Sequence, residues 1–231
     1  MRRLAVAATA AHLLLFVALE DRPACAAQPD ADRSGGASET TVVQKASALE
    51  KPFVPDLDRA NDAYEMGDYA TAFKHYSALA ARGNAVAQTN VGMMYRKGRG
   101  VPRDYEKAVQ WLNRAAAQGD AVAEYQLGKM HGSGYGVPQD YAAAFRWFHR
   151  SAEKGYSRAQ YRVGMMYKLG RGVPKNNVFA YMWLSLVVSR PYDWGSRKAS
   201  LARDAVAADM TPDEVAEARR LAREWKPKQE R

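Results

Sequence analysis

Cysteine is nearly absent from this chain, with Cys25 the single one among 231 residues. Cys25 lies at an expected cleavage point, so the mature protein is read as cysteine-free, without disulfides, thiolate metal sites or a cysteine nucleophile. Its fold must then be held by packing. Histidine is scarce as well: His12, His75, His131 and His149 have no acidic partner at a ligand spacing such as H-E-x-x-H. Nucleophile and phosphate signatures are also wanting. Ser133 sits in Gly132-Ser133-Gly134 rather than in G-x-S-x-G, no G-K-[ST] ending occurs, and Ser-x-x-Lys with an accompanying Ser-Asp-Asn is not found. The chain therefore reads as non-catalytic, with no metal, cofactor or small-molecule substrate expected.

Long apolar runs are lacking beyond one, Leu4 to Leu19, broken by Thr9 and His12 and preceded by Arg2-Arg3. Crossing a membrane takes about 20 apolar residues, so this run fits the core of a secretory signal better than a span. Residues 1–26 are read as a signal peptide ending at Ala24-Cys25-Ala26, with a retained anchor as the alternative. Lipidation of Cys25 is disfavoured because Arg22-Pro23-Ala24 offers no apolar residue before it. The protein is expected outside the cytoplasm, in the periplasm, with no stable span once the signal is removed. Negative charge is in deficit too. The formal net charge is +9, of which residues 1–26 carry a net +1. Such a surface attracts nucleic acid, anionic lipid, acidic protein and acidic glycan alike, and export sets nucleic acid aside.

What the chain does have is a repeat. Residues 27–54, rich in Ser, Gly, Asp and Ala, read as a flexible leader. Beyond them Ala87, Ala123 and Ala159 recur every 36 residues, as do Gly92, Gly128 and Gly164; Pro102, Pro138 and Pro174; and Trp111, Trp147 and Trp183. A period in this range marks stacked helical hairpins. Within a copy, Ala87, Val91, Met94 and Tyr95 form one apolar stripe at helical spacing. Gly98-Arg99-Gly100-Val101-Pro102 ends that helix, and Asp104 is placed to cap a second, which closes at Gly119. Ala108, Ala144 and Ala180 recur where the two helices of a hairpin cross. His131 fills the slot of Tyr95 and Tyr167, and reads as a packed aromatic substitute.

The string Ala-Gln-x-x-Val-Gly-Met-Met-Tyr-x-x-Gly-Arg-Gly-Val-Pro, at 87–102 and again at 159–174, resembles the Sel1-like repeat, a relative of the tetratricopeptide repeats. That resemblance implies an all-α, α/α superhelical solenoid. The organisation expected is a tetratricopeptide-like first hairpin at 55–86, repeats at 87–122, 123–158 and 159–195, and two capping helices within 196–227, the last opened by Thr211-Pro212 with Glu214. In the third copy Pro191 replaces the closing glycine. The resemblance also implies a scaffold or adaptor for protein partners in the cell envelope. The alternative is a peptidoglycan- or glycan-binding module with weak β-lactamase-like hydrolysis, although members linked to that activity carry a cysteine pair in each repeat.

Solenoids bind along one continuous face. At ~100° per residue, positions 3, 7 and 10 of each first helix lie opposite the apolar stripe. These are Thr89, Met93 and Arg96 in the first copy, Tyr125 and Lys129 with Gly132 in the second, and Tyr161, Met165 and Lys168 in the third. Asn90, Gln126 and Arg162 at position 4 frame them. Tyr and Met beside Lys and Arg suit an acidic protein partner; packing of the same side chains against the neighbouring hairpin is the competing reading.

Overall fold

The computed structural model describes residues 54–190 and 195–228, and among them every regular element is an α-helix. Consecutive helices pair into antiparallel hairpins: α1 (Leu57–Glu65) with α2 (Tyr69–Ala81), α3 (Ala85–Lys97) with α4 (Tyr105–Ala117), α5 (Ala121–Ser133) with α6 (Tyr141–Glu153), and α7 (Ser157–Leu169) with α8 (Asn177–Val188). Each hairpin packs on the next, and α9 (Ser196–Ala207) and α10 (Pro212–Glu224) close the stack against α8. The α/α solenoid expected from the sequence is thus the fold. The signal segment, nearly all of the leader and Pro191 lie outside the described residues.

The period is written first in the caps. Asp68, Asp104, Asp140 and Asn176 each accept a hydrogen bond from the backbone N–H three residues on, at 2.9 to 3.0 Å, starting each second helix. Asn84 and Asp120 do the same for α3 and α5. Tyr156 stands where α7 would have its cap and makes no such bond; its ring instead lies edge-on to Tyr125 at 5.3 Å.

Glycine does two separate jobs. Gly92, Gly128 and Gly164 sit where the helices of a hairpin cross, and a Cβ there would come within 2.8 Å of Leu112, 2.6 Å of Phe148 and 2.9 Å of Leu184. The buried Ala108, Ala144 and Ala180 serve the same crossings. The second glycine of each Gly-x-Gly loop does more than end a helix. Gly100, Gly136 and Gly172 have left-handed φ near 70° and press onto the backbone carbonyls of Tyr69, Tyr105 and Tyr141, the residues that begin the second helix of the preceding hairpin. The loop residue between the glycines packs over those same rings: the guanidinium of Arg99 at 4.9 Å from Tyr69, that of Arg171 at 4.8 Å from Tyr141, and Tyr135 stacked on Tyr105 at 4.7 Å. One edge of the stack is therefore a repeated hairpin-to-hairpin clasp.

Core residues lie between hairpins as much as within them. Tyr125, Phe148, Val163, Met166 and Trp183 share one cluster that joins the third hairpin to the fourth. At the closing end Tyr181, Leu184 and Val187 of α8 are covered by Ala199, Val206 and Ala218 of α9 and α10. The capping box that opens α10 is complete, with Thr211 and Glu214 bonded reciprocally.

Candidate functional site

The first helices α3, α5 and α7 lie side by side in the stack, with direct contact between α3 and α5. Their register is not the 36-residue period of the sequence. Gln126 donates through Nε2 to the sulfur of Met93 at 3.5 Å, and Lys97 donates to the hydroxyl of Tyr64 at 3.3 Å, both pairs being 33 residues apart. Neighbours across adjacent first helices are thus i and i+33, one helical turn short of the repeat, because the helices pack obliquely.

That offset corrects part of the expected binding face. Thr89, Tyr125 and Gln126 are buried, with relative exposures of 4%, 5% and 7%. Tyr125 is core, 5.5 Å from the Phe148 ring and 5.3 Å from that of Tyr156, so it holds two hairpins together instead of presenting a surface. Gln126 reaches across to Met93 of the neighbouring first helix, and the Thr89 hydroxyl and Gln126 Oε1 have no hydrogen-bond partner. Asn90, Met93, Arg96, Lys129, Tyr161, Met165 and Lys168 are half-buried and Arg162 is exposed.

The structure does bring Lys129, Arg162 and Met165 together. They line a cavity of about 250 Å³ between α5 and α7, with Phe148 and Met166 as apolar wall and Leu169 and Arg171 at its margin. Leu169, Phe148 and Arg171 were not singled out from the sequence; only the 33-residue register, invisible in a self-alignment, would have pointed to them. Asn90, Met93, Tyr161 and Lys168 do not line this cavity.

Electrostatically the site is one-sided. Burial holds the Lys129 ammonium below its ordinary pKa, and Arg96, Arg162, Lys97 and Arg158 push in the same direction. These four charges are all cations, and the ammonium also lies 5.9 Å from the centre of the Tyr125 ring. No described carboxylate pairs with Arg96, Lys129 or Arg162, and the buried Nε of Arg96 has no hydrogen-bond partner. Contrast Glu124 on the same α5: fully buried, it meets Arg150 at 2.9 Å and Lys154 at 3.1 Å. Its counterparts are Gln88 and Gln160, whose amides donate to the carbonyls of Ala80 and Ala152. A carboxylate cannot donate in this way; here Lys154 bonds to the Gly119 carbonyl, as Arg190 does to Gly155 in the next copy, and also bridges to Glu124. That pair belongs to the architecture.

Nothing in this arrangement gathers reacting groups. Among the described residues no three His, Cys, Asp or Glu side chains cluster as metal ligands do. His131 and His149 are both held below the usual imidazole pKa by burial, and His149 lies edge-on to Trp183 at 5.5 Å. No described helix is long and apolar enough to cross a membrane.

The sequence matches the Sel1 repeat at residues 62–84, 85–120, 121–156 and 157–186, more than half of the chain. The chain belongs to the Sel1 repeat family. The match takes in residues 62–84, the stretch set apart above as tetratricopeptide-like. Two crystal structures share its fold at 26% identity. One is a protective antigen of uropathogenic Escherichia coli strains displaying a Sel1-like repeat fold, with TM-score 0.62 over 72% of this chain and 37% of that one. The other is a Sel1 repeat protein from Oxalobacter formigenes, with TM-score 0.56 over 72% of this chain and 74% of its own. This chain thus spans little more than a third of the antigen's length. No curated protein sequence matches it. Sel1 repeats generally serve as scaffolds for protein–protein interaction.

Proposed function

We propose that this Sel1 repeat chain is a scaffold or adaptor of the bacterial cell envelope that holds a protein partner on the face formed by α3, α5 and α7. The observation that carries the reading is the mixture on that face: thioether and aromatic area from Met93, Tyr161 and Met165 beside the cations Arg96, Lys129 and Arg162. Half-buried apolar side chains supply surface to desolvate, and basic groups steer and orient an acidic partner. Placement in the envelope rests on the layout of residues 1–26, a positive head, an apolar run and small residues. Members with a cell-wall activity carry cysteine pairs that this sequence lacks, which favours binding over hydrolysis.

Site-specific photo-cross-linking tests this. A benzophenone amino acid at Met165, expressed from the full-length gene, should cross-link one protein in the periplasmic or membrane fraction, whereas the same probe at Lys198 on α9 should not. Cross-linking at neither site, with the protein pelleting on purified peptidoglycan, sinks the scaffold reading. A mature N-terminus after Ala26 in the exported fraction tests the location.

A further inference from the structure

The oblique register gives the first-helix face a diagonal. Arg96, Lys129 and Arg162 are successive i, i+33 neighbours, one from each of α3, α5 and α7. Position in the repeat hides them, since they fall at its tenth, seventh and fourth residues. Along this diagonal three cations stand without a described carboxylate, one of them with a buried, unbonded Nε and one half-buried among like charges. Burying like charges together costs the fold stability, so the arrangement is explained by something of opposite sign that binds there. Beside the last two cations opens the apolar-walled cavity of about 250 Å³, large enough for one aliphatic side chain.

Packed helices lie about 8 to 10 Å apart. A polyproline II segment presents every third side chain on one side, at a spacing of about 9 Å. At that spacing, which the direct contact of α3 with α5 supports, a chain with acidic residues at every third position sets successive carboxylates against successive helices of the diagonal. We propose that the row Arg96, Lys129, Arg162 binds an extended acidic peptide in this i, i+3 register, with an aliphatic side chain seated between Phe148 and Met165. The inference rests on the protein-binding reading above and adds the chemistry of the partner. A polyanionic glycan or nucleic acid also carries negative charge, but brings no aliphatic group for the cavity.

The probe is a fluorescein-labelled peptide of four Glu-Pro-Leu units, read by anisotropy with the folded protein at about 0.15 M salt, where long-range attraction is largely screened. Two control peptides have Gln for every Glu, or the same residues with the Glu clustered. Wild type should prefer the spaced peptide by about tenfold over the Gln version, and by a smaller factor over the clustered one. Lys129→Met and Arg162→Gln should each weaken the spaced peptide about tenfold, while Lys198→Glu, an equal or larger charge loss on α9, should change it less than about twofold. Equal weakening by Lys198→Glu, or none by Lys129→Met, overturns the proposal. So does binding of a heparin fragment or a single-stranded oligonucleotide through the same row with no binding of the peptide. A protein cross-linked at Met165 whose capture is indifferent to Lys129→Met removes the acidic-peptide chemistry and leaves the scaffold reading standing.

Discussion

The loop edge and the first-helix face are built from the same three hairpins, yet they use the repeat in opposite ways. On the loop edge, Gly100, Gly136 and Gly172 make the same close approach to the same backbone position of the preceding hairpin, and Arg99, Tyr135 and Arg171 cover the same rings. On the face, equivalent residues part company: Thr89 and Tyr125 are buried whereas Tyr161 is only half-buried, and Lys129 stands where the neighbouring copies have Met93 and Met165. An edge that copies itself joins hairpins, and a face that varies is free to select a partner. The comparison breaks most visibly at the edge. Gly136→Ala adds a Cβ 2.5 Å from the Tyr105 carbonyl at a φ of 70°, and the backbone of two hairpins must separate to admit it. A loss of about 3 kcal/mol follows from the left-handed conformation plus overpacking. Gly67→Ala, at a similar φ of 83° but with nothing within 4 Å, should lose only about 1 kcal/mol. Urea unfolding followed by circular dichroism measures both, and equal losses would mean that the clasp contributes nothing.

Tyr125→Ala should come next, at close to 3 kcal/mol, because it removes a ring wedged among Phe148, Tyr156 and Val163. Loss of a partner in this variant would therefore report unfolding between hairpins rather than a lost contact. A variant that binds poorly but keeps its unfolding midpoint would return Tyr125 to the binding surface.

The helices, their caps and the closing α9 and α10 were legible because each depends on contacts within a hairpin or at a constant offset. Asp104, Pro102 and Gly119 announce themselves in sequence order, and Thr211-Pro212 with Glu214 carries its own signal. The site was only partly legible. Treating position 3 of every copy as one surface put Thr89 and Tyr125 outside, because a helical wheel knows the angle around one helix but not the slide between two. Arg96, Lys129 and Arg162 were all singled out, though for separate positions; the diagonal that unites them exists only once α3, α5 and α7 are packed. In sequence the Gly-x-Gly loops read only as helix ends, since sequence cannot show that Tyr69, Tyr105 and Tyr141 press on them from the hairpin before.

Glu124 sharpens the comparison inside a single helix, for it is a buried charge on α5 with charged partners of opposite sign while Lys129, five residues further, has no described carboxylate. Glu124→Ala leaves Lys154 and Arg150 facing an empty pocket and should lose about 2 kcal/mol, the scale of a buried charge-assisted hydrogen bond. Glu124→Gln restores the residue type of Gln88 and Gln160 and should lose under about 1 kcal/mol. Equal losses would show that the carboxylate charge facing Arg150 and Lys154, and not side-chain volume, is what this position requires.

The smallest effects carry the sharpest contrast, because the two surfaces should respond to loss of a cation with opposite signs. Arg171 lies 4.8 Å from the Tyr141 ring on the loop edge, so Arg171→Ala should destabilise by about 0.5 kcal/mol. Lys129 is desolvated among four cations, with the Tyr125 ring at 5.9 Å as the offsetting contact, and Lys129→Met should stabilise by up to ~0.5 kcal/mol, the size of like-charge repulsion between neighbours. The pH dependence gives an independent check. With its folded pKa below the ordinary 10.5, Lys129 releases its proton earlier in the folded chain than in the unfolded one. Between those two values the unfolded chain binds more protons, so this residue makes stability rise as pH rises, and lost again as pH falls through the folded pKa. Lys129→Met should flatten that rise in urea midpoints taken from neutral pH toward 10.5, while Arg171→Ala should leave its slope unchanged. A steeper slope in Lys129→Met would mean that an unseen acid already neutralises the row, and the face would have no charge left to offer a partner.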